Sequence, residues 1–332
     1  MIKTTPKQTA PVVTGDETGM RLDRWFRRHF PSLTHGQLQK FLRTGQIRVD
    51  GRRTDSSFRL CEAQSIRIPP QLFSTADSSA GGAFFGAKTA GDRKRLQDMV
   101  LYEDDDVIVL NKPAGLAVQG GTGLKENLDD MLMAFSRDKK TKPKLAHRLD
   151  RDTGGVLLIA RTDYASAKLA ASFRHRDTQK IYWAITDGVP KPRQGRIDVP
   201  LVKRGERMDA AEAKEANKAK AAVTLYQVIE TARKKIAFVA LLPVTGRTHQ
   251  LRVHLAHLGT PILGDRMYGR GPLEALPQKE LGRGLHLHAR RIVVPHPRRG
   301  LIDVTAPLGA EMKKTWRWFQ FDEKAGTDFS AV

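Results

Sequence analysis

Ala146-His147-Arg148-Leu149-Asp150-Arg151-Asp152-Thr153-Gly154-Gly155 runs directly into Val156-Leu157-Leu158-Ile159. A dense polar stretch ahead of an apolar run puts charged side chains on a loop over a buried strand, and loops carried by a rigid scaffold are where chemistry tends to sit. Asp150 or Asp152 can serve as a nucleophile, an acid–base group or a cation ligand. The run Asp152-Thr153-Gly154-Gly155 reads as a tight turn, which leaves Asp150 the stronger candidate. Outward from this strand, from about Val100, short apolar runs alternate with turn residues. Strands are expected at Val107–Leu110, Val156–Ala160, Ile181–Ile185, Thr224–Ile229, Ile236–Leu242 and Arg291–Val294. Helices are expected at Asn127–Phe135, Tyr164–Phe173, His249–Leu258 and Met312–Phe319. No strand–helix unit repeats, so residues 96–322 read as a mixed α+β domain, not a doubly wound sheet. Residues 203–221, rich in Lys, Ala and Glu, read as an exposed loop or solvent-facing helix.

Two further segments carry candidate chemistry. In Val244-Thr245-Gly246-Arg247-Thr248-His249-Gln250-Leu251-Arg252-Val253-His254, Thr248 reads as an N-cap, Leu251, Leu255 and Leu258 as an apolar stripe, and Gly259 with Pro261 as the stop. Arg252 then lies near the positive end of the helix dipole, a poor place for a cation unless a carboxylate faces it. His254 and His257 have metal-ligand spacing but no His-Glu-x-x-His frame or cysteines, and read as packed or exposed histidines. In Gln179-Lys180-Ile181-Tyr182-Trp183-Ala184-Ile185 the strand period sends Ile181, Trp183 and Ile185 to one face and Lys180, Tyr182 and Ala184 to the other. A tyrosine there can line a cleft and stack on a base.

Residues 21–70 form a separate basic module. Leu22, Trp25, Phe26 and Phe30 fall at helical spacing until Pro31, and Thr34 with Gln37 reads as the capping box of a second helix buried through Leu38, Phe41 and Leu42. Gly45 fits its C′ position, and short strands follow at 47–49 and 65–68 around the turn Asp50-Gly51. Arg21, Arg24, Arg27, Arg28, Lys40, Arg43, Arg48, Arg52 and Arg53 give the module a strongly basic surface. This helix–turn–helix–strand order resembles the RNA-binding domain named for small-subunit ribosomal protein four, and those nine side chains are its candidate RNA contacts. Residues 1–20 are expected to be a disordered tail, 71–95 a flexible linker closed by Arg93-Lys94-Arg95, and 323–332 a second tail.

Composition agrees with a polyanionic partner. Over 332 residues Lys+Arg is 57 against Asp+Glu 36, a net charge of +21, which speaks to partners more than to fold. A single cysteine, Cys61, makes no internal disulfide. No apolar stretch reaches the roughly 20 residues that cross a bilayer, and the N-terminus lacks a secretory pattern. A cytoplasmic protein is expected.

Taken together, His147-Arg148-Leu149-Asp150 with the turn after it, and Thr245-Gly246-Arg247-Thr248-His249-Gln250-Leu251-Arg252, resemble the RluA/RluC/RluD family of pseudouridine synthases, most closely the RluC type, which acts on large-subunit (23S) ribosomal RNA. Asn111-Lys112-Pro113-Ala114-Gly115 and Gly120-Gly121-Thr122-Gly123 match weaker family segments. The resemblance spans about Arg21 to Phe319; Gly154, where relatives often carry another small residue, and the long 203–221 segment are local departures. It implies that Asp150 is the catalytic aspartate, that Tyr182 stacks on the uracil, that Arg252 is the ion-pair partner of Asp150, and that Arg148 enters the RNA as the base leaves the stack. His147, Arg247, His249, Gln250 and Leu251 are further candidate substrate contacts. Isomerising uridine oxidises and hydrolyses nothing, so neither a cofactor nor a metal is expected, and a monomer bound to ribosomal RNA or the pre-ribosomal large subunit is the expected working form. Two rivals are an inactive RNA-binding protein and a glycoside hydrolase; the second needs two carboxyl groups at a set separation, and an arginine partner for Asp150 argues against it.

Overall fold

In the computed structural model, described here for residues 11–30, 33, 35–72, 91–120, 126–137, 141–175, 177–215, 217–233, 235–271, 280–327 and 329, the chain divides into two units. One is Met1–Gly86 with Gly121–Gly123; the other is Ala87–Gly120 with Leu124–Val332. In the first, α1 (Leu22–His29) and α2 (His35–Arg43) form where the apolar spacing predicts. Leu22, Trp25, Phe26, Leu38 and Leu42 are buried with Ile47, Val49, Leu60 and Ile66, and Arg24, Arg27, Arg28, Lys40 and Arg43 are exposed, the division expected of amphipathic surface helices. Gly45 ends α2 at φ +69. Strands β1 (Arg48–Val49) and β2 (Ile66–Arg67) pair antiparallel, with Asp50 and Gly51 both at positive φ just after β1. Thr34 lies outside the described residues.

Residues 11–20 are not the expected tail. Val13 is buried and its N–H donates to Gln64 O at 2.9 Å. The buried Glu17 carboxylate accepts Trp25 Nε1 at 3.0 Å and lies 2.5 Å from His29 Nε2. Burial pushes the Glu17 carboxyl up, but the hydrogen bonds from Trp25, His29 and Thr14 outweigh it and hold it at about 2. A Thr- and Pro-rich composition conceals the buried carboxylate of Glu17, which ties this segment to α1.

In the second unit the six apolar runs named above lie in β4 (Val107–Lys112), β6 (Gly154–Ala160), β7 (Gln179–Asp187), β11 (Val223–Ala232), β12 (Ile236–Pro243) and β13 (Leu287–Pro295), each longer than expected, and six strands were not anticipated: β3 (Val100–Glu103), β5 (Lys144–Leu145), β8 (Gln194–Asp198), β9 (Leu201–Arg204), β10 (Arg207–Ala210) and β14 (Leu301–Thr305). The sheet runs β3-β4-β6-β13-β7-β12-β11-β8, with β5 on β6 and β14 on β13. The β6–β13 pair is parallel and the others antiparallel, so the α+β class with a large mixed sheet holds. Gly155 permits the parallel contact: at φ +109, a Cβ there would stand 2.1 Å from Ala289 O, which only glycine avoids.

Helices cover both faces. The short α3 (Leu128–Met131), N-capped by Asn127, runs into a 3₁₀ turn, Leu132–Phe135, and packs on Ile108, Leu110 and Leu157. Helix α4 (Asp163–His175) buries Ala165 and Leu169 against Val107, Val109 and Leu158 on the opposite face. The β7 alternation holds: Ile181, Trp183 and Ile185 pack on α6 (Ala310–Phe319) through Met312 and Trp316, while Tyr182 packs with Leu251 and Leu255 of α5 (Gln250–His257).

Three expectations are corrected here. Residues 203–221 contain a β-hairpin, β9–β10 joined at Gly205-Glu206, followed by a 3₁₀ turn at Ala213–Glu215; the Lys/Ala/Glu bias resembles a helix, but Met208 and Ala210 alternate with charged residues as a strand does. Of the expected linker, 73–90 lies outside the described residues, and 91–97, carrying Arg93-Lys94-Arg95, is helical with Leu96 buried. Of the C-terminal tail, Glu323 O accepts Arg290 Nη2 at 2.9 Å and Ala325 and Phe329 pack on the core.

Candidate active site

The loop bearing Asp150 is held from below by backbone bonds and by the side chains of His147 and the buried Lys112. Ala146 N donates to Leu158 O at 3.1 Å, and Leu158 N donates to His147 Nε2 at 3.0 Å, so the imidazole stands in for the next acceptor of the ladder. Accepting there fixes His147 as neutral with its proton on Nδ1. Burial, helped by the nearby Lys180 charge, pushes its pKa down to about 3. Lys112, at the end of β4, is fully buried and donates to the carbonyls of Pro113, Leu116 and Arg151 at 2.9, 2.8 and 3.0 Å. Burial lowers its pKa to about 8 against the pull of Asp152 and Asp150. Thr153 N donates to Asp150 O at 3.1 Å and closes the turn; Asp152 pairs with Arg151 at 3.0 Å at the surface.

The facing wall is the segment before α5. Gln250 is buried and its side chain is fully used: Oε1 accepts Thr245 Oγ1 at 2.7 Å and Arg247 N at 3.0 Å, and Nε2 donates to Val223 O at 2.9 Å and Thr224 Oγ1 at 3.0 Å. It is a scaffold group with no hydrogen-bonding capacity left for a substrate. Thr248 is not the N-cap. His249 occupies that position in the left-handed region (φ 53, ψ 14) without a side-chain cap, a costly conformation for a non-glycine residue that only its surroundings can impose. The Tyr268 hydroxyl accepts Met208 N at 3.0 Å and lies 2.9 Å from His249 Nδ1. Burial, reinforced by Arg252 and opposed by Asp150, lowers the pKa of the imidazole, whose Nε2 stands 3.9 Å from Asp150 Oδ2.

Arg252 departs from expectation. Its guanidinium forms a bidentate pair with Asp265, Nε to Oδ2 at 2.7 Å and Nη2 to Oδ1 at 2.8 Å, over the Tyr268 ring at 5.0 Å. Among the described residues, the basic side chain within 4.0 Å of the Asp150 carboxylate is His249, while Arg252 pairs with Asp265. The reason is competition: Asp265 is wholly buried and also accepts Met267 N and Tyr268 N at 2.9 and 3.0 Å, and a preorganised two-pronged carboxylate outbids a half-exposed one. Burial works against both charges, but their mutual hydrogen bonds and attraction outweigh it, raising the Arg252 pKa and lowering that of Asp265. Asp150 adds to the field that keeps Arg252 charged.

Between the walls lies a cavity of about 500 Å³, within the usual size of small-ligand sites. His147, Arg148, Asp150, Tyr182, Arg247, His249, Gln250, Leu251 and Arg252 all line it. The Asp150 side chain is 24% exposed. Arg148 is exposed, and Arg247 Nε donates to Ala221 O at 3.0 Å. Burial and the Asp150 carboxylate drive the Tyr182 hydroxyl well above its ordinary pKa, so the ring stays neutral. His254 uses both nitrogens, on Thr224 Oγ1 at 2.9 Å and Val199 O at 3.0 Å, and His257 is exposed. Asp265 and Tyr268 escaped the sequence reading; the one signal for them is the turn-rich Gly264-Asp265-Arg266-Met267-Tyr268-Gly269.

Comparison with known proteins agrees with this geometry. Residues 106–257 match the family model "RNA pseudouridylate synthase". The chain is 34% identical over 321 residues to ribosomal large subunit pseudouridine synthase C of Escherichia coli, covering 93% of this chain and 96% of that one. It is 35% identical over 274 residues to the Rickettsia bellii protein of the same name, 82% of this chain and 89% of that one. The chain belongs to the RNA pseudouridylate synthase family. Among solved structures, human RNA pseudouridylate synthase domain containing 4 superposes with a TM-score of 0.60 at 30% identity over 71% of this chain and 98% of that one. The protein is thus an RNA pseudouridine synthase. The segment matched to the family model contains both the Asp150 loop and Arg252 but stops before Asp265 and Tyr268. In the N-terminal unit Arg21 is paired with Asp23 at 2.7 Å and Arg48 donates to Gly45 O and Gly51 O at 3.1 and 3.0 Å, while Arg52 and Arg53 are exposed.

Proposed function

We propose that this protein isomerises specific uridines of large-subunit (23S) ribosomal RNA to pseudouridine, acting in the cytoplasm as a monomer and without cofactor or metal. The observation that carries the reading is the carboxylate of Asp150 at the edge of a cavity walled by the Tyr182 ring and a fixed guanidinium, Arg252. The names of the similar bacterial proteins supply the ribosomal substrate. In the reaction the C1′–N1 bond breaks, the base turns, C1′ joins C5, and the hydrogen on C5 is lost as N1 gains one. Asp150 starts it, as nucleophile at C1′ or on the base or as the group that takes a sugar proton. Extruding the base costs a few kcal/mol; stacking on Tyr182 offsets part of that, and Arg148 fills the gap left in the RNA. The N-terminal unit is an RNA-binding domain of the type named for small-subunit ribosomal protein four, which holds phosphates through its exposed Arg24, Arg27, Arg28, Lys40, Arg43, Arg52 and Arg53, so affinity falls steeply with salt.

Release of tritium from RNA labelled at C5 of uridine tests the proposal. Wild-type protein releases it from 23S RNA; Asp150→Asn and Asp150→Ala release none while binding the same RNA within a few-fold. Substantial turnover by either variant removes Asp150 from its role. Pseudouridine mapping in cells with and without the protein checks the substrate, and an unchanged 23S map refutes the ribosomal assignment.

A further inference from the structure

Lys180 lies on β7 two residues before Tyr182, on the same face of the sheet, and lines the same cavity. Its ammonium sits 5.7 Å from the centre of the Phe173 ring and beside Gly246, 3.9 Å from where a Cβ on that glycine would stand. Among the described residues it makes no ion pair and no hydrogen bond. The contrast with Arg252 and Lys112 is chemical: one guanidinium has Asp265, the buried ammonium has three carbonyls and the pull of Asp150 and Asp152. Burial lowers the Lys180 pKa with no carboxylate opposing it. The cavity wall is cationic beyond this residue, with Arg148, Arg174 and Arg247 against the single acid Asp150.

A half-buried cation without a counter-charge is unfavourable in the free protein and becomes favourable when a ligand brings an anion to it. In a flipped uridine the base and ribose are neutral, and the charge lies on the phosphodiesters. Two strand positions on one face place the Lys180 and Tyr182 side chains about 7 Å apart along the strand, so one nucleotide spans both. We propose that Lys180 is the anchor for a phosphodiester flanking the extruded uridine, holding the nucleotide by its phosphate while Tyr182 holds its base. This rests on the uridine-isomerising function above and adds the group that fixes the backbone of the flipped residue.

The test is a charge cycle on a short RNA substrate carrying one neutral methylphosphonate, placed in turn at each phosphate flanking the target. Conversion of the unmodified RNA by the wild type establishes the activity itself; its absence defeats the functional reading and is seen before any variant is made. Lys180→Met, near-isosteric and apolar, is expected to raise KM by about 10- to 100-fold, the worth of one charge-assisted hydrogen bond, with kcat within twofold. Lys180→Arg restores most of it. One methylphosphonate position weakens the wild type by a similar factor and leaves Lys180→Met unaffected, and the log–log salt slope of binding falls by about one in the variant. If Lys180→Met is as sensitive as the wild type at both flanking positions, or if it loses kcat with an altered pH profile while KM holds, Lys180 does not anchor the phosphate.

Discussion

The two walls of the cavity rest on different kinds of buried side chain. Beneath Asp150 the carbonyls of Pro113, Leu116 and Arg151 converge, and the donor-only ammonium of Lys112 takes all three. Beneath Arg252 the segment presents both donors and acceptors, and the neutral amide of Gln250 serves both. The choice has an electrostatic consequence. Lys112 puts a positive charge behind Asp150 and Asp152, whereas a cation in the place of Gln250 would repel Arg252, whose charge Asp265 already balances. Asp150 therefore faces three basic groups, Lys112, Arg252 and His249, and not a single partner. One wall is built to hold a net charge, the other to hide one.

The wall that hides its charge breaks hardest. Asp265→Ala strips a buried guanidinium of its counter-charge, and losing one partner of such a pair costs about 3–5 kcal/mol. Urea unfolding should show a loss of that size. Asp265→Asn keeps the shape and one acceptor, so it should lose clearly less while lowering turnover, because Arg252 is then free to swing toward Asp150. A loss below about 1 kcal/mol for Asp265→Ala would mean that the pair adds little to the wall.

This asymmetry also marks what the sequence could reveal. The Asp150 wall was legible because a polar cluster abutting an apolar strand is a contiguous signal, and so was the Tyr182 face, since a two-residue period settles it. Arg252 was legible as a cation needing an anion, but the anion is Asp265, thirteen positions on in a loop with no periodicity; a three-dimensional competition between two carboxylates leaves no trace in local pattern. The β9–β10 hairpin was masked by composition that imitates a helix. The same holds for Glu17, whose burial depends on Trp25 and His29 arriving from α1. Contiguous patterns were readable; pairings decided by which of two partners is better preorganised were not.

The charged wall should be less fragile but sensitive to pH. Lys112→Met leaves the carbonyls of Pro113, Leu116 and Arg151 without their donor, which costs about 2–3 kcal/mol at pH 7. The sign of the pH effect follows from burial, which lowers the lysine from about 10.5 to about 8 in the folded protein. Between those values the unfolded chain binds more protons than the folded one, so this group's contribution to stability rises with pH across that window and is flat below it. The gap between wild type and Lys112→Met should accordingly be constant to about pH 8 and widen toward pH 10.5. A gap that narrows there would mean the ammonium is stabilised by its charge more than it is penalised by burial.

The smallest change reaches both walls at once. Tyr268→Phe keeps the ring under Arg252 but removes the hydroxyl that accepts Met208 N and bonds His249 Nδ1. Loss of these bonds should cost about 1 kcal/mol. The larger consequence is positional: without that partner the His249 ring, whose Nε2 stands 3.9 Å from Asp150 Oδ2, loses the contact that orients it. Turnover should fall by a few-fold with RNA affinity unchanged. Turnover equal to that of the wild type would mean that the hydroxyl does not position His249 against Asp150.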